Sequence, residues 1–267
     1  MKAGIAIALI ALLAQAASAG QTHLGPNEAC ESSKLFEAHS VIAWAIPSDP
    51  RAFFYSSGMA IDADGAFRAY HPNQVLGLDS LNHAGHRGNW WALVTDNYKT
   101  NGHPVVQGSS DPAPGYYVST TSLFDNDNPN LKDPHRYVDA LKIPYIVLPP
   151  EGFLHAKLGD FASVANLQNG HLSPAIVADE SAPGLKFGEG SMALADALSI
   201  DSNPRYGGKD RGVAYVIYAG SGNGKPRTIE DIAANSQRLF EAWGGMQKLS
   251  ACLAAHGKDR AKGMQIR

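Results

Sequence analysis

Long apolar runs are missing from this sequence beyond one short segment. Ala3 to Leu13 is the longest, and it stops well short of the roughly 20 residues that a bilayer-spanning helix requires. No membrane anchor is therefore expected. An excess of charge of either sign is also lacking: 22 Lys and Arg stand against 25 Asp and Glu, a formal net charge of −3, or −4 if Lys2 is lost with a leader (−3 − 1). This leaves no basic footprint for nucleic acid, so no such partner is expected. Repeats and low-complexity stretches are absent as well.

Several catalytic signatures are missing. There is no G-x-S-x-G elbow to support serine-hydrolase chemistry. His71, His83, His86 and His103 fall close together without H-E-x-x-H or a comparable ligand set, so no metal is expected. Gly220 to Lys225 has the look of a phosphate loop, but Ala219 stands where the first glycine is needed and Pro226 follows Lys225. Asp125 to Asp133 holds several hard ligands without the order of a calcium loop.

What is present begins with Met1-Lys2 ahead of the apolar segment and Ala17-Ser18-Ala19 behind it, the pattern of a secretory signal peptide over residues 1–19. With no cysteine at the cleavage site, a lipid anchor is not indicated. Residues 20–267 are then read as a single domain of an exported, extracellular or periplasmic protein. Charged residues at 18%, apolar residues at 44%, 27 Gly and 16 Pro describe a loop-rich globular enzyme. In an oxidising compartment the only two cysteines, Cys30 and Cys252, are expected to form one disulfide tying the chain ends; two buried thiols are the alternative.

The apolar spacing of Leu35, Phe36, Val41, Ile42 and Trp44 predicts a helix over 32–45, ended by Pro47-Ser48-Asp49-Pro50. Phe53 to Ile61, the acidic turn Asp62-Ala63-Asp64-Gly65, and Ala66 to Tyr70 read as strand, tight turn, strand. Residues 71–133 are rich in Gly, Pro, Asn, Asp and His and predict irregular loops and short strands. Tyr145 to Leu148, Phe161 to Leu167, Ala175 to Ala178 and Gly212 to Ala219 have strand length and composition. Ser191 is placed to cap a helix reaching Ile200, and Thr228 to cap one with Ile229, Ile232, Ser236, Leu239, Phe240 and Trp243 down its inner side.

Between the third of these strands and the helix at Ser191 lie Asp179, Glu180 and Glu189, the last flanked by Gly188 and Gly190. Glycosidic hydrolysis needs a protonated carboxyl and a carboxylate on opposite sides of the scissile bond, and an acid at a strand end with another beside a helix start can supply them. Glycines permit a sugar chain to approach the backbone closely. The competing reading makes Asp179 a turn residue and Glu189 a carboxylate favoured by the positive end of the helix.

These blocks, Ala178-Asp179-Glu180-Ser181-Ala182-Pro183 followed by Gly188-Glu189-Gly190-Ser191 and a small-residue helix, resemble those of the family-75 glycoside hydrolases, the fungal-type chitosanases. The resemblance extends to Ile61-Asp62-Ala63-Asp64-Gly65, to Leu141 through Pro149, and to Gly207 through Ile217, covering about residues 53 to 245. Glu180 beside Asp179, and Gly190 in place of the family's Ala, are departures from its pattern. The resemblance implies a single catalytic domain that is a secreted endo-chitosanase, cleaving β-1,4 bonds of chitosan with inversion through Asp179 and Glu189, without cofactor.

A wider similarity to double-psi β-barrel proteins implies an α+β, mostly β fold: a six-stranded double-psi-like barrel with peripheral helices. It also gives Glu189 the position of general acid and Asp179 that of base or electrostatic partner. The polysaccharide's ammonium groups and flat sugar faces would meet the acids Asp62, Asp64 and Glu180 and the aromatics Trp90, Trp91, Tyr116 and Tyr117. Each also has a bland reading, as a turn acid or a core ring. The protein is expected to be a monomer. Two other classes stay open at this point: a peptidoglycan-cleaving enzyme of lysozyme or lytic-transglycosylase type, and a non-catalytic polysaccharide-binding or wall-loosening protein.

Overall fold

The computed structural model describes residues 30–38, 41–150, 155–181 and 187–263, with side chains as far as residue 256. The expected signal segment 1–19 and Pro183 of the D-x-x-P block lie outside the described residues. Ten strands and three α-helices are described: β1 (Ser33–Ala38), β2 (Val41–Ile46), β3 (Asp49–Asp62), β4 (Gly85–His86), β5 (Asn89–Trp90), β6 (Tyr145–Leu148), β7 (Phe161–Asn166), β8 (Leu172–Glu180), β9 (Glu189–Ser191), α1 (Met192–Ala197), β10 (Lys209–Tyr218), α2 (Ile229–Trp243) and α3 (Gly245–Gly263).

Six strands close on themselves in the order β3-β10-β7-β8-β6-β9, with β9 returning to β3. The α+β, mostly β reading with a six-stranded barrel and peripheral helices holds. β3 makes closure possible because it works as two half-strands. Its first part pairs antiparallel with β10, from Ala52↔Tyr218 to Ser57↔Val213, and its last three residues pair in parallel with β9, Ala60↔Glu189 to Asp62↔Ser191. The transition falls at Gly58, where a Cβ would lie 2.3 Å from the Lys209 carbonyl oxygen, so only glycine lets the two strands pass this closely.

The barrel interior is filled by Phe53, Tyr55, Ile146, Val164, Val177 and Tyr215, which share one face by register and are nearly or fully buried. Ser191 joins β9 to the next element. Its Oγ accepts hydrogen bonds from Tyr145 N (3.0 Å) and Leu194 N (3.1 Å) and donates to Ile143 O (2.8 Å), locking β6 against β9 while capping α1. Thr228 caps α2 through Asp231 N at 3.2 Å, and Ile232, Ser236, Phe240 and Trp243 are buried along the helix, whereas Ile229, expected on the same side, is exposed in the first turn and Leu239 is half-buried. The Cys30–Cys252 disulfide joins the start of the described chain to α3.

Two expectations fail. Where the spacing predicts a helix over 32–45, Ser33–Ala38 and Val41–Ile46 pair as the antiparallel strands β1 and β2. β2 finds β3 beside it, with Trp44 opposite Phe54 and Ala45 opposite Phe53, and this cross-strand pairing of β-branched and aromatic residues outweighs the ambiguous spacing. Residues 66–70 do not form the return strand of a hairpin. Consecutive tight turns, Ala66 N to Ala63 O and Ala69 N to Ala66 O, carry the chain away from β3, and the loop region that follows pairs mainly through isolated bridges.

Candidate active site

The register of the barrel puts the candidate acids in one row. On β6, Val147 is the partner of Asp179 on β8 and of Glu189 on β9, and Glu189 is in turn the partner of Ala60 on β3. Partners in register project from the same face of a sheet, so Asp179 and Glu189 stand side by side with one strand between them. Two strand spacings separate their Cα atoms by about 9.5 Å. Asp62, two residues past Ala60, shares that face.

Asp62 and Asp64 come from the acidic turn at the end of β3. Asp62 Oδ1 accepts from Asp64 N at 2.8 Å, so the turn is real, and it brings both carboxylates to Asp179: the oxygens of all three lie within 4.8 Å of one another. Tyr70 donates its hydroxyl to Asp64 Oδ1 at 2.6 Å, and the Tyr145 hydroxyl donates to the Asp64 carbonyl at 3.0 Å. Asp179 is gripped through Oδ1 alone, by Ser122 Oγ (2.6 Å), Ser122 N (3.0 Å) and Glu180 N (2.7 Å).

Crowding and burial decide the protonation of this cluster. Asp179, 7% exposed, is pushed up to about 8, first by burial and then by the charge of Asp62. Asp62 is raised to about 6 by burial, against the opposing hydrogen bonds of Asp64 N and Tyr145. Asp64 is raised well above the usual carboxylate range by burial, then by Asp62, Asp179 and Glu189. Carboxyls this close cannot all ionise, so the cluster retains a proton near neutrality.

One cleft adjoins the row, and a second lies among the loops of residues 90–137. The first, of about 470 Å³, is lined by Ala60 and Gly188, the immediate neighbours of Glu189, with Lys209, Asp210 and Arg211. The second, of about 230 Å³, is lined by Trp90, Trp91, Tyr98, Lys99, Thr120 and Tyr137 among others.

The family model for the fungal chitosanases of glycosyl hydrolase group 75 matches residues 59–249. That is 191 of the 267 residues (249 − 59 + 1). The chain belongs to this family. It is accordingly a glycoside hydrolase, and the reading as a non-catalytic wall-loosening protein falls away. No curated protein sequence matches the chain.

Within this family-75 hydrolase the structure brings Asp62, Asp64, Asp179 and Glu189 together. Glu180, next along β8, projects to the opposite face by strand alternation and contributes its backbone N–H to Asp179. Trp90 and Trp91 line the smaller cleft. Tyr116 is engaged elsewhere, its hydroxyl on Leu76 O at 3.1 Å and its ring under Arg68 and edge-on to His71. Tyr117 packs half-buried against the core. At Gly190, the departure from the family's Ala, a Cβ would meet Leu194 Cδ2 at 2.8 Å, so the leucine occupies the space of the missing methyl.

Ser122, Tyr70, Tyr145 and Ser119, which hold the acids, escaped the sequence reading. The glycine-rich 220–225 segment is structural: its Gly220 and Gly222 amides donate to the Asp160 carboxylate at 2.9 and 2.8 Å. Among the described residues, Asp62, Asp64 and Asp179 are the set that could offer three oxygens to a hard cation. The same three can share a proton instead. Dialysis against EDTA is expected to leave hydrolysis of chitosan within about twofold of the starting rate; a loss of about tenfold or more that calcium restores would make the cluster a cation site.

Proposed function

We propose that this family-75 hydrolase is an exported, monomeric endo-chitosanase that cleaves β-1,4 bonds of chitosan with inversion, its single catalytic domain spanning residues 20–267. Asp179 gives its proton to the leaving oxygen, and Glu189 takes one from the attacking water. The observation that carries the reading is the row itself: Asp179 and Glu189 flank Val147 on one face of the sheet with a strand between them, and an inverting pair needs two carboxyls held apart to admit a water. Burial pushes Asp179 toward the protonated form and so favours it as the donor, the reverse of the roles implied by the double-psi similarity.

Internal attack is supported by what lies on either side of the row. Beyond β8, Leu123 N bonds to Ala178 O and Thr120 N to Ala92 O, so the surface continues from β3 across β9, β6 and β8 to residues 119–124 and then 90–95. Six successive chain segments span about 24 Å, room for several sugar units, and a cleft opens at each end. Export is supported by the leader pattern and the disulfide.

Azide distinguishes the two acids, because a small anion can replace the water that a missing base no longer activates. Azide is expected to restore activity to Glu189→Ala, yielding an α-glycosyl azide, and to leave Asp179→Ala unrescued. Rescue of Asp179→Ala alone would exchange the two roles. A β-configured first product, read by proton NMR, would rule out inversion.

A further inference from the structure

We infer that the smaller cleft, bounded by Trp90, Trp91, Tyr98 and Tyr137, is a sugar subsite that takes an N-acetylglucosamine unit of a partly acetylated polymer. Ammonium-bearing units are taken at the acid row. The inference rests on the chitosanase reading for the polymer and on the cleft's own chemistry for the acetyl group.

Position comes first. Along 119–124, Ser119, Thr121 and Leu123 are buried while Thr120, Ser122 and Phe124 are half-exposed, so Thr120 and Ser122 both reach the surface. Ser122 grips Asp179, and Thr120 lines the cleft. The cleft therefore begins two residues along the chain from Ser122, the residue that holds Asp179.

One platform is held in place. Trp91 is 48% exposed, yet its ring is fixed by a hydrogen bond from Nε1 to His83 O at 3.0 Å. Tyr98 is 57% exposed and stands at φ +57, a left-handed conformation that a bulky residue keeps only where its surroundings hold it. An exposed ring held in place, as that of Trp91 is, is the kind of surface on which a sugar face packs with little loss of conformational freedom.

Charge selects the occupant. No carboxylate lines the cleft, and Lys99 does. Lys132 adds a second ammonium, 5.7 Å from the centroid of the Tyr98 ring. The nearest acid in sequence, Asp96, is outside the lining and accepts from His103 N at 2.9 Å. A glucosamine ammonium would meet like charge here. An acetamido group brings none: its methyl has Leu93 and Leu131 to pack on, and its amide has the hydroxyls of Thr100 and Thr120. The contrast with Asp62, Asp64, Asp179 and Glu189 is a contrast of sign.

The test uses tryptophan fluorescence in the Glu189→Gln background, titrated with di-N-acetylchitobiose and with its fully deacetylated counterpart. Adding Trp91→Ala is expected to weaken the acetylated dimer by about fivefold or more and to leave the deacetylated dimer within about twofold. Adding Lys99→Glu instead is expected to tighten the deacetylated dimer several-fold without helping the acetylated one. Equal losses for both dimers in Trp91→Ala, or no change in either, overturns the proposal, and so does an unaltered deacetylated affinity in Lys99→Glu, an exposed position where folding is not at stake. Sugar release from fully deacetylated chitosan by the native enzyme reports separately on the reading beneath it. Hydrolysis without acetyl discrimination sinks the subsite alone, and discrimination without hydrolysis sinks the chitosanase reading alone.

Discussion

Glu189→Gln is expected to lower kcat on deacetylated chitosan by about 10³-fold, with KM changed by no more than a few-fold. General acid–base catalysis by a placed side chain contributes about 10²–10⁴-fold, and an amide of the same shape can neither take the proton from water nor carry the charge. The substitution leaves the backbone pairing to Ala60 and Val147 in place. It also removes one of the charges that crowd Asp64. Reducing-sugar release alongside calorimetric unfolding checks both halves. A variant that keeps more than about a tenth of the native kcat removes Glu189 from the chemistry. A variant that loses activity through KM instead makes it a substrate contact.

The chain was legible where local chemistry and tertiary structure agree. Tyr145 to Leu148 is a β-branched run closed off by Pro144 and Pro149, and it is a strand because nothing else in the fold competes for it. Ser191 and Thr228 read as caps because a cap is a local contract between one hydroxyl and an amide three residues on. Residues 32–45 misread because Val41, Ile42 and Trp44 suit either period, and the arbiter, Phe53-Phe54 on β3, becomes visible only once the strands pair. α3 went unread after the Gly244-Gly245 break, although it carries Cys252 to the core.

The site divides in the same way. Asp179 and Glu189 stood out because glycines and a helix start mark their segment. Asp62 and Asp64 looked like a turn, and they are one; that the turn also abuts Asp179, more than a hundred residues away, follows from the parallel pairing of β3 with β9, which leaves no trace in either segment alone. Ser122, a serine in an irregular loop, carries no pattern at all. Its role appears only when Leu123 is seen bonded to Ala178.

The buried proton has a consequence for stability that runs opposite to ordinary acid unfolding. In the unfolded chain an aspartate titrates near 3.9; in the fold Asp179 titrates at about 8. Between about pH 4 and pH 8 the folded state therefore holds a proton that the unfolded state has released, and stability falls as pH rises through that window by about 1.4 kcal/mol per unit for one proton. The upper bound over the window is on the order of 5 kcal/mol. Asp62, raised to about 6, steepens the lower part of the same slope. Asparagine carries no proton to lose, so Asp179→Asn is expected to unfold close to the native temperature at pH 4.5 and several degrees above it at pH 8, while its activity drops by about 10²-fold or more. A substitution that stabilises the fold and removes the reaction is the mark of a strained catalytic group rather than a structural one. If native stability is level from pH 4.5 to 8, or if the variant shifts equally at both, the retained proton is not on Asp179. The donor role then passes to Glu189, with Asp179 as the base.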